Sequence, residues 1–88
     1  MPTIAYFLGI AVRMFFNYHN PPHFHVRYQG HRVRVSIADG KVIDGRLPPA
    51  VGRIVKDWTA LRREALMRNW DAARSDKPLE RIGGLDDD

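Results

Sequence analysis

The pair Gln29-Gly30 stands between two runs that alternate strictly, Phe24-His25-Val26-Arg27-Tyr28 before it and His31-Arg32-Val33-Arg34-Val35 after it. Successive side chains of a strand point to opposite faces, and a two-residue turn fixes which residues stand across from one another. With Gln29 and Gly30 as that turn, Tyr28 faces His31, Val26 faces Val33 and Phe24 faces Val35 on one side of a sheet. His25 then faces Arg34 and Arg27 faces Arg32 on the other, with His23 beyond them. A slip of one residue would exchange the apolar and cationic sets, so the register is strongly specified.

The neighbouring segments extend that sheet. Thr3 to Tyr6 reads as a short first strand, and Gly9 as a bend before a second one from Ile10 to Phe16. Alternation in the second places Ile10, Val12, Met14 and Phe16 on one side and Ala11, Arg13 and Phe15 on the other, which brings Arg13 one strand over from the histidine-arginine face. Asp39-Gly40 signals another turn, joining a strand that ends at Ile37 to one through Lys41, Val42 and Ile43. A two-residue loop there pairs Ile37 with Val42, and a bulged loop shifts the pairing by one.

After Leu47-Pro48-Pro49 the period becomes helical, and a proline suits a helix's first position. Val51, Ile54, Val55, Trp58, Leu61 and Ala65 form one stripe, while Leu66, Trp70 and Ala73 form another, rotated by roughly a quarter turn at ~100° per residue. The shift predicts two helices, or one that bends near Thr59 to Arg63. Tryptophans on apolar stripes belong to a core rather than to a stacking site. Arg53, Lys56, Arg62, Arg63 and Arg68 read as a solvated helix face.

Together these readings predict an α+β chain: a three- to four-stranded antiparallel meander followed by two C-terminal helices packed on one face. Residues 1–74 form the compact domain. Residues 75–88 form a tail, acidic at its end, that docks through Leu79 and Ile82 and then frays.

The chemistry concentrates in Asn17-Tyr18-His19-Asn20-Pro21-Pro22-His23-Phe24-His25-Val26, which holds three of the four histidines and two adjacent prolines. Proline fixes its own φ and drives the residue before it out of the α region, so Asn20, Pro21 and Pro22 make a stiff corner. Beyond it His23, His25 and Arg27 share one face of a strand, and His19 can fold over from the corner. Imidazole titrates near neutral pH and also ligates metals, and both uses need fixed geometry. Across the sheet, Arg13, Arg27, Arg32 and Arg34 crowd like charges together, which an anion among them would relieve. Long arginines splayed into water are the plain alternative. His31 falls on the core side, across from Tyr28.

Composition removes several classes of function. Eighty-eight residues make one domain with one core. The absence of cysteine excludes disulfides, thiolate metal sites and cysteine nucleophiles, and fits a cytoplasmic protein. The apolar run from Ile4 to Phe16 is interrupted by Arg13 and is shorter than the ~20 residues of a membrane span. Formal charge is +4 although the chain ends in three aspartates, so the body before them is more basic still and favours a polyanionic partner.

Met1-Pro2-Thr3-Ile4, Gly9-Ile10, Met14, the run His19-Asn20-Pro21-Pro22-His23-Phe24-His25-Val26, Gly45 with Leu47-Pro48, Trp58, Leu66 and Asn69-Trp70 resemble the short bacterial proteins of the domain of unknown function 4160 family. The resemblance extends to Ile82 and implies a compact α+β domain. It also implies a partner encoded by a neighbouring gene, of the domain of unknown function 2442 type, in a toxin-antitoxin-like arrangement. Two positions depart from the family pattern: Tyr18 stands where many members carry aspartate, and Arg63-Glu64 lies near a place where others have histidine-arginine. A carboxylate at the first would orient His19, and here it is missing.

Three functional readings follow. In the first, a metal-independent ribonuclease, one of His19, His23 and His25 takes the proton of a ribose 2′-hydroxyl and another protonates the leaving 5′-oxygen. Arg13, Arg27, Arg32 and Arg34 then stabilise the phosphorane-like charge without any cofactor. In the second, a non-catalytic module, the basic face contacts RNA or DNA phosphates and the neighbouring protein covers part of it. In the third, His19, His23 and His25 hold a divalent transition metal. No reading involves a membrane.

Overall fold

The computed structural model describes residues 3–16 and 19–85. Every strand suggested by alternation forms, which makes five rather than three or four: β1 (Thr3–Phe7), β2 (Ile10–Arg13), β3 (His23–Tyr28), β4 (His31–Ser36) and β5 (Val42–Asp44). They pair antiparallel in chain order as a single meander. Two helices follow, α1 (Pro49–Leu61) and α2 (Arg63–Arg74).

The β3–β4 hairpin has the register that its alternation demands. Phe24 pairs with Val35, Val26 with Val33 and Tyr28 with His31, while His25 pairs with Arg34 and Arg27 with Arg32. Gln29 and Gly30 both have positive φ, 44° and 84°, as a primed turn requires for its twist to match the strands. Phe24, Val26, Val33 and Val35 are buried, and full burial of such side chains contributes roughly 1.5–3 kcal/mol each.

In β1 a bulge between Thr3 and Ala5 breaks the simple alternation. Ile4 and Ala5 are consequently both buried, and Tyr6 turns outward. β2 ends at Arg13, sooner than the alternation suggests. Met14 still enters the core, but Phe16, expected on the same side, is 41% exposed because the ladder that would hold its direction has ended.

Neither pairing expected at Asp39-Gly40 is adopted. Val42 lies opposite Val35, with a bulge separating that pair from Arg34 and Asp44. The connection is longer than a two-residue turn because it builds its own bonds: Gly40 N–H donates to Ser36 O, Ser36 N–H to Lys41 O, and Lys41 N–H to the Asp39 carboxylate at 3.0 Å.

The helices cover the apolar face. α1 starts at Pro49 and breaks at Arg62, whose N–H still donates to Trp58 O while α2 begins one residue on. Val51, Val55 and Trp58 of α1 and Leu66, Trp70 and Ala73 of α2 are buried, so both tryptophans serve the core. Leu61, counted in the first stripe, is instead 57% exposed, since the helix ends there and the phase changes. Arg62 and Arg63 depart from the solvated reading as well. Both are half-buried, with Arg62 donating to Gly84 O at 2.7 Å and Arg63 to Ile37 O at 3.0 Å.

The segment after α2 is held by backbone and core. Ile82 is buried and its N–H donates to Ile4 O at 2.7 Å, Leu79 is half-buried, and the Trp58 indole N–H donates to Gly83 O at 2.8 Å. Met1, Pro2, Asn17, Tyr18 and the terminal Asp86, Asp87 and Asp88 lie outside the described residues, and with them the Tyr18 departure and the fraying end. No helix among the described residues is long and apolar enough to cross a membrane.

Candidate nucleic-acid interface

Because residues paired across antiparallel strands share a side, the ladders assemble two rows on the face that the helices leave open. One row reads Arg13, His25, Arg34, Asp44 across β2, β3, β4 and β5. The next reads Tyr6, Ala11, Arg27, Arg32 across β1, β2, β3 and β4. Between and beneath these side chains lies an open cleft of about 380 Å³, walled by Arg13, Phe15, His25, Arg27, Arg32 and Arg34, with Asp44 and Gly45 at its β5 end.

The cleft is strongly cationic. Its walls carry four arginines against one carboxylate, and the Arg34–Asp44 pair is long, 3.4 Å, with both side chains well exposed. Such a pair offsets little of the field. Arg13 is half-buried, and its Nε has no hydrogen-bond partner among the described residues. A desolvated guanidinium N–H beside other cations favours an acceptor of negative charge.

His25 occupies the middle of the first row. Burial holds its pKa below the ordinary imidazole value of 6.5, and the neighbouring His23 and Arg34 charges push it the same way. It is therefore mainly neutral at pH 7, with a lone pair available. Phe15 meets its ring edge-on, centroids 4.2 Å apart.

His23 shares the strand face but not the exposure, being only 8% accessible. Its Nδ1 lies 2.8 Å from Pro21 O, and since a carbonyl can only accept, the proton sits on Nδ1. Its ring stands 5.3 Å from that of His25 and 5.4 Å from that of Trp70. Pro21, in the stiff corner, presents the carbonyl that fixes the His23 tautomer. His19 is exposed at that corner and is not part of the cleft wall. His31 lies on the Tyr28 side as expected, stacked over that ring, with Nδ1 3.1 Å from Arg46 O.

The structure accordingly brings together His25, Arg13, Arg27, Arg32 and Arg34, sets His23 behind them, and leaves His19 apart. Among the described residues no three His, Asp or Glu side chains converge as metal ligands would. Sequence reasoning put Phe15 on the correct side without giving it a role. It missed Asp44, whose position depends on the β4–β5 bulge, and Tyr6, whose direction depends on the β1 bulge.

No curated protein and no solved structure matches the chain. A family model described as a domain of unknown function (DUF4160) matches residues 9–71, from the β1–β2 turn to the third turn of α2. With most of its length matched, including all of β2, β3, β4 and β5, the chain belongs to the DUF4160 family.

Proposed function

We propose that the protein binds nucleic acid through the open face of its sheet, as one member of a bacterial, cytoplasmic two-gene module of the toxin-antitoxin kind. Arg13, Arg27, Arg32 and Arg34 contact phosphates, and the neighbouring-gene protein covers part of the same face. The observation that carries this reading is the concentration of four guanidinium groups in one cleft with a single carboxylate. Phosphate contacts of this kind fix a ligand's position without reading its sequence.

The test is binding of labelled RNA and DNA by the purified protein across a salt series. Four single-strand phosphate contacts give a slope of log affinity against log salt of roughly −3. Absence of binding to either polymer at low salt would remove the proposal.

RNA cleavage is favoured as a second reading by the neutral His25 beside Arg13 and Arg34. His25 takes the proton of a ribose 2′-hydroxyl, the 2′-oxygen attacks phosphorus, and the P–O5′ bond breaks. Solvent water supplies the proton to the departing 5′-oxygen, since His19 stands apart from the cleft, and the products are a 2′,3′-cyclic phosphate and a 5′-hydroxyl. His23 enters as a positioning residue, through its ring against His25. Co-expression with the neighbouring gene, scored for growth and RNA integrity, tests this reading. Cleavage undiminished in His25→Gln would end it.

A further inference from the structure

We propose that Tyr6 is a base-stacking platform beside the arginine cleft, which makes the ligand a single-stranded nucleic acid rather than a duplex. The inference rests on the phosphate reading of the cleft and extends it to a residue outside that cleft. Tyr6 is 63% exposed although it lies within a strand flanked by buried residues. The β1 bulge buries Ile4 and Ala5 together, which leaves the following side chain on the basic face.

Its neighbours on that face make it a platform. Tyr6 pairs with Ala11, Ala11 with Arg27, and Arg27 with Arg32, so the four residues form one row. The methyl group of Ala11 leaves a low shelf between the phenol ring and the first guanidinium. Two inter-strand spacings separate Tyr6 from Arg27, about 10 Å. A strand of nucleic acid laid along the row meets an aromatic surface at one end and cations at the other. At the far side of the cleft Phe15 offers a second ring, half-buried against His25.

Such a surface discriminates between forms of nucleic acid. A duplex keeps its base faces stacked on one another and offers groove edges and phosphates, to which an exposed phenol ring adds little. Unpaired bases present free faces, and each base stacked on an aromatic side chain adds appreciably to binding, an amount lost when the ring is replaced by alanine. The arginines supply the phosphate contacts common to both forms, and the ring supplies the preference.

The experiment compares labelled oligonucleotides of about ten nucleotides, RNA and DNA of one sequence, single-stranded and as duplex, across a salt series. The wild-type protein binds single strands more tightly than duplex. Tyr6→Ala weakens single-strand binding roughly 5- to 150-fold, the span expected for one lost stack, without changing the salt slope. Tyr6→Phe, which keeps the ring, retains wild-type affinity. Arg27→Ala flattens the salt slope by roughly one phosphate's worth. Single-strand preference with RNA, with DNA or with both, lost in Tyr6→Ala, upholds the proposal. Equal affinity for duplex, or wild-type binding by Tyr6→Ala alongside an altered Arg27→Ala, overturns the stacking role and leaves the phosphate reading intact. No binding by any form overturns both.

Discussion

The imidazole of His23 stands 5.3 Å from that of His25, nearly edge to face, and the two sit two residues apart on one strand in different surroundings. His23 is buried with its Nδ1 tied to Pro21 O, whereas His25 opens toward the arginines. Burial, then His23, then Arg34 lower the His25 pKa from 6.5. The folded protein therefore binds a proton at His25 less readily than the unfolded chain does. Any stability linked to this group is present in full above about pH 6.5, declines as pH falls through that value, and is lost once the lowered folded pKa is passed. A histidine titration by NMR should show His25 titrating below 6.5, and His23→Gln, which removes one of the depressing charges, should raise its midpoint. An unchanged His25 midpoint in that variant would refute the coupling.

Asp44 is the acidic residue in the cleft wall, and its bond to Arg34 is long and exposed. Asp44→Ala should change the melting temperature little, because surface pairs of this kind contribute roughly 0–1 kcal/mol. It should tighten polyanion binding and steepen its salt dependence, since it removes the one negative charge competing for Arg34. Weaker binding in Asp44→Ala would show that the carboxylate orients Arg34 and does not compete with the ligand.

Gly45 closes the β5 end of the cleft with φ of 90°, and a Cβ there would fall 2.6 Å from Arg32 O and 2.9 Å from Val33 Cγ1. The clash is partly with backbone, so β5 must move away from β4. Gly45→Ala is expected to destabilise the fold by about 1–3 kcal/mol, the range for a side chain forced into left-handed backbone. Denaturant unfolding measures that loss. The variant should also loosen binding, because pushing β5 from β4 at Arg32 and Val33 widens the cleft.

The β3–β4 hairpin was legible because turn and alternation agree: the tight turn sets Val26 across from Val33 on the buried face, and a slip of one residue would turn an apolar set to solvent. The outer face follows from it, so the alternation alone places Arg27, Arg32, Arg34 and His25 together. The bulges could not be read in this way. A bulge inserts one residue and reverses the alternation beyond it, and nothing in Thr3-Ile4-Ala5-Tyr6 marks the site. Tyr6 and Asp44 both follow such shifts. The burial of His23 was equally hidden, because it depends on Trp70, forty-seven residues later on α2, arriving beside its ring. Leu61 and Phe16 depart from their stripes for a related reason: Leu61 is the last residue of α1 and Phe16 lies beyond the end of β2, where periodicity stops predicting direction.

Asn69 of α2 is a buried polar residue whose side chain ties the helix to the segment that follows it. It is 1% exposed, its amide nitrogen donates to Glu80 O at 2.9 Å, and its amide oxygen accepts from Glu80 N–H at 2.8 Å. The side chain thus satisfies both backbone groups of one residue in the segment that carries Ile82 and Gly83 back to β1 and Trp58. Asn69→Ala leaves the Glu80 N–H and carbonyl without partners in a part-buried place, at a cost of up to about 1–3 kcal/mol each where water does not reach them. Asn69→Asp keeps the acceptor but loses the donor and adds a buried charge, and should be at least as harmful. The loss should be local as well as global. Hydrogen exchange at Ile82, whose N–H is held by Ile4 O, should accelerate more than exchange in the β3–β4 hairpin. Equal acceleration in both would show that the segment and the sheet unfold as one unit.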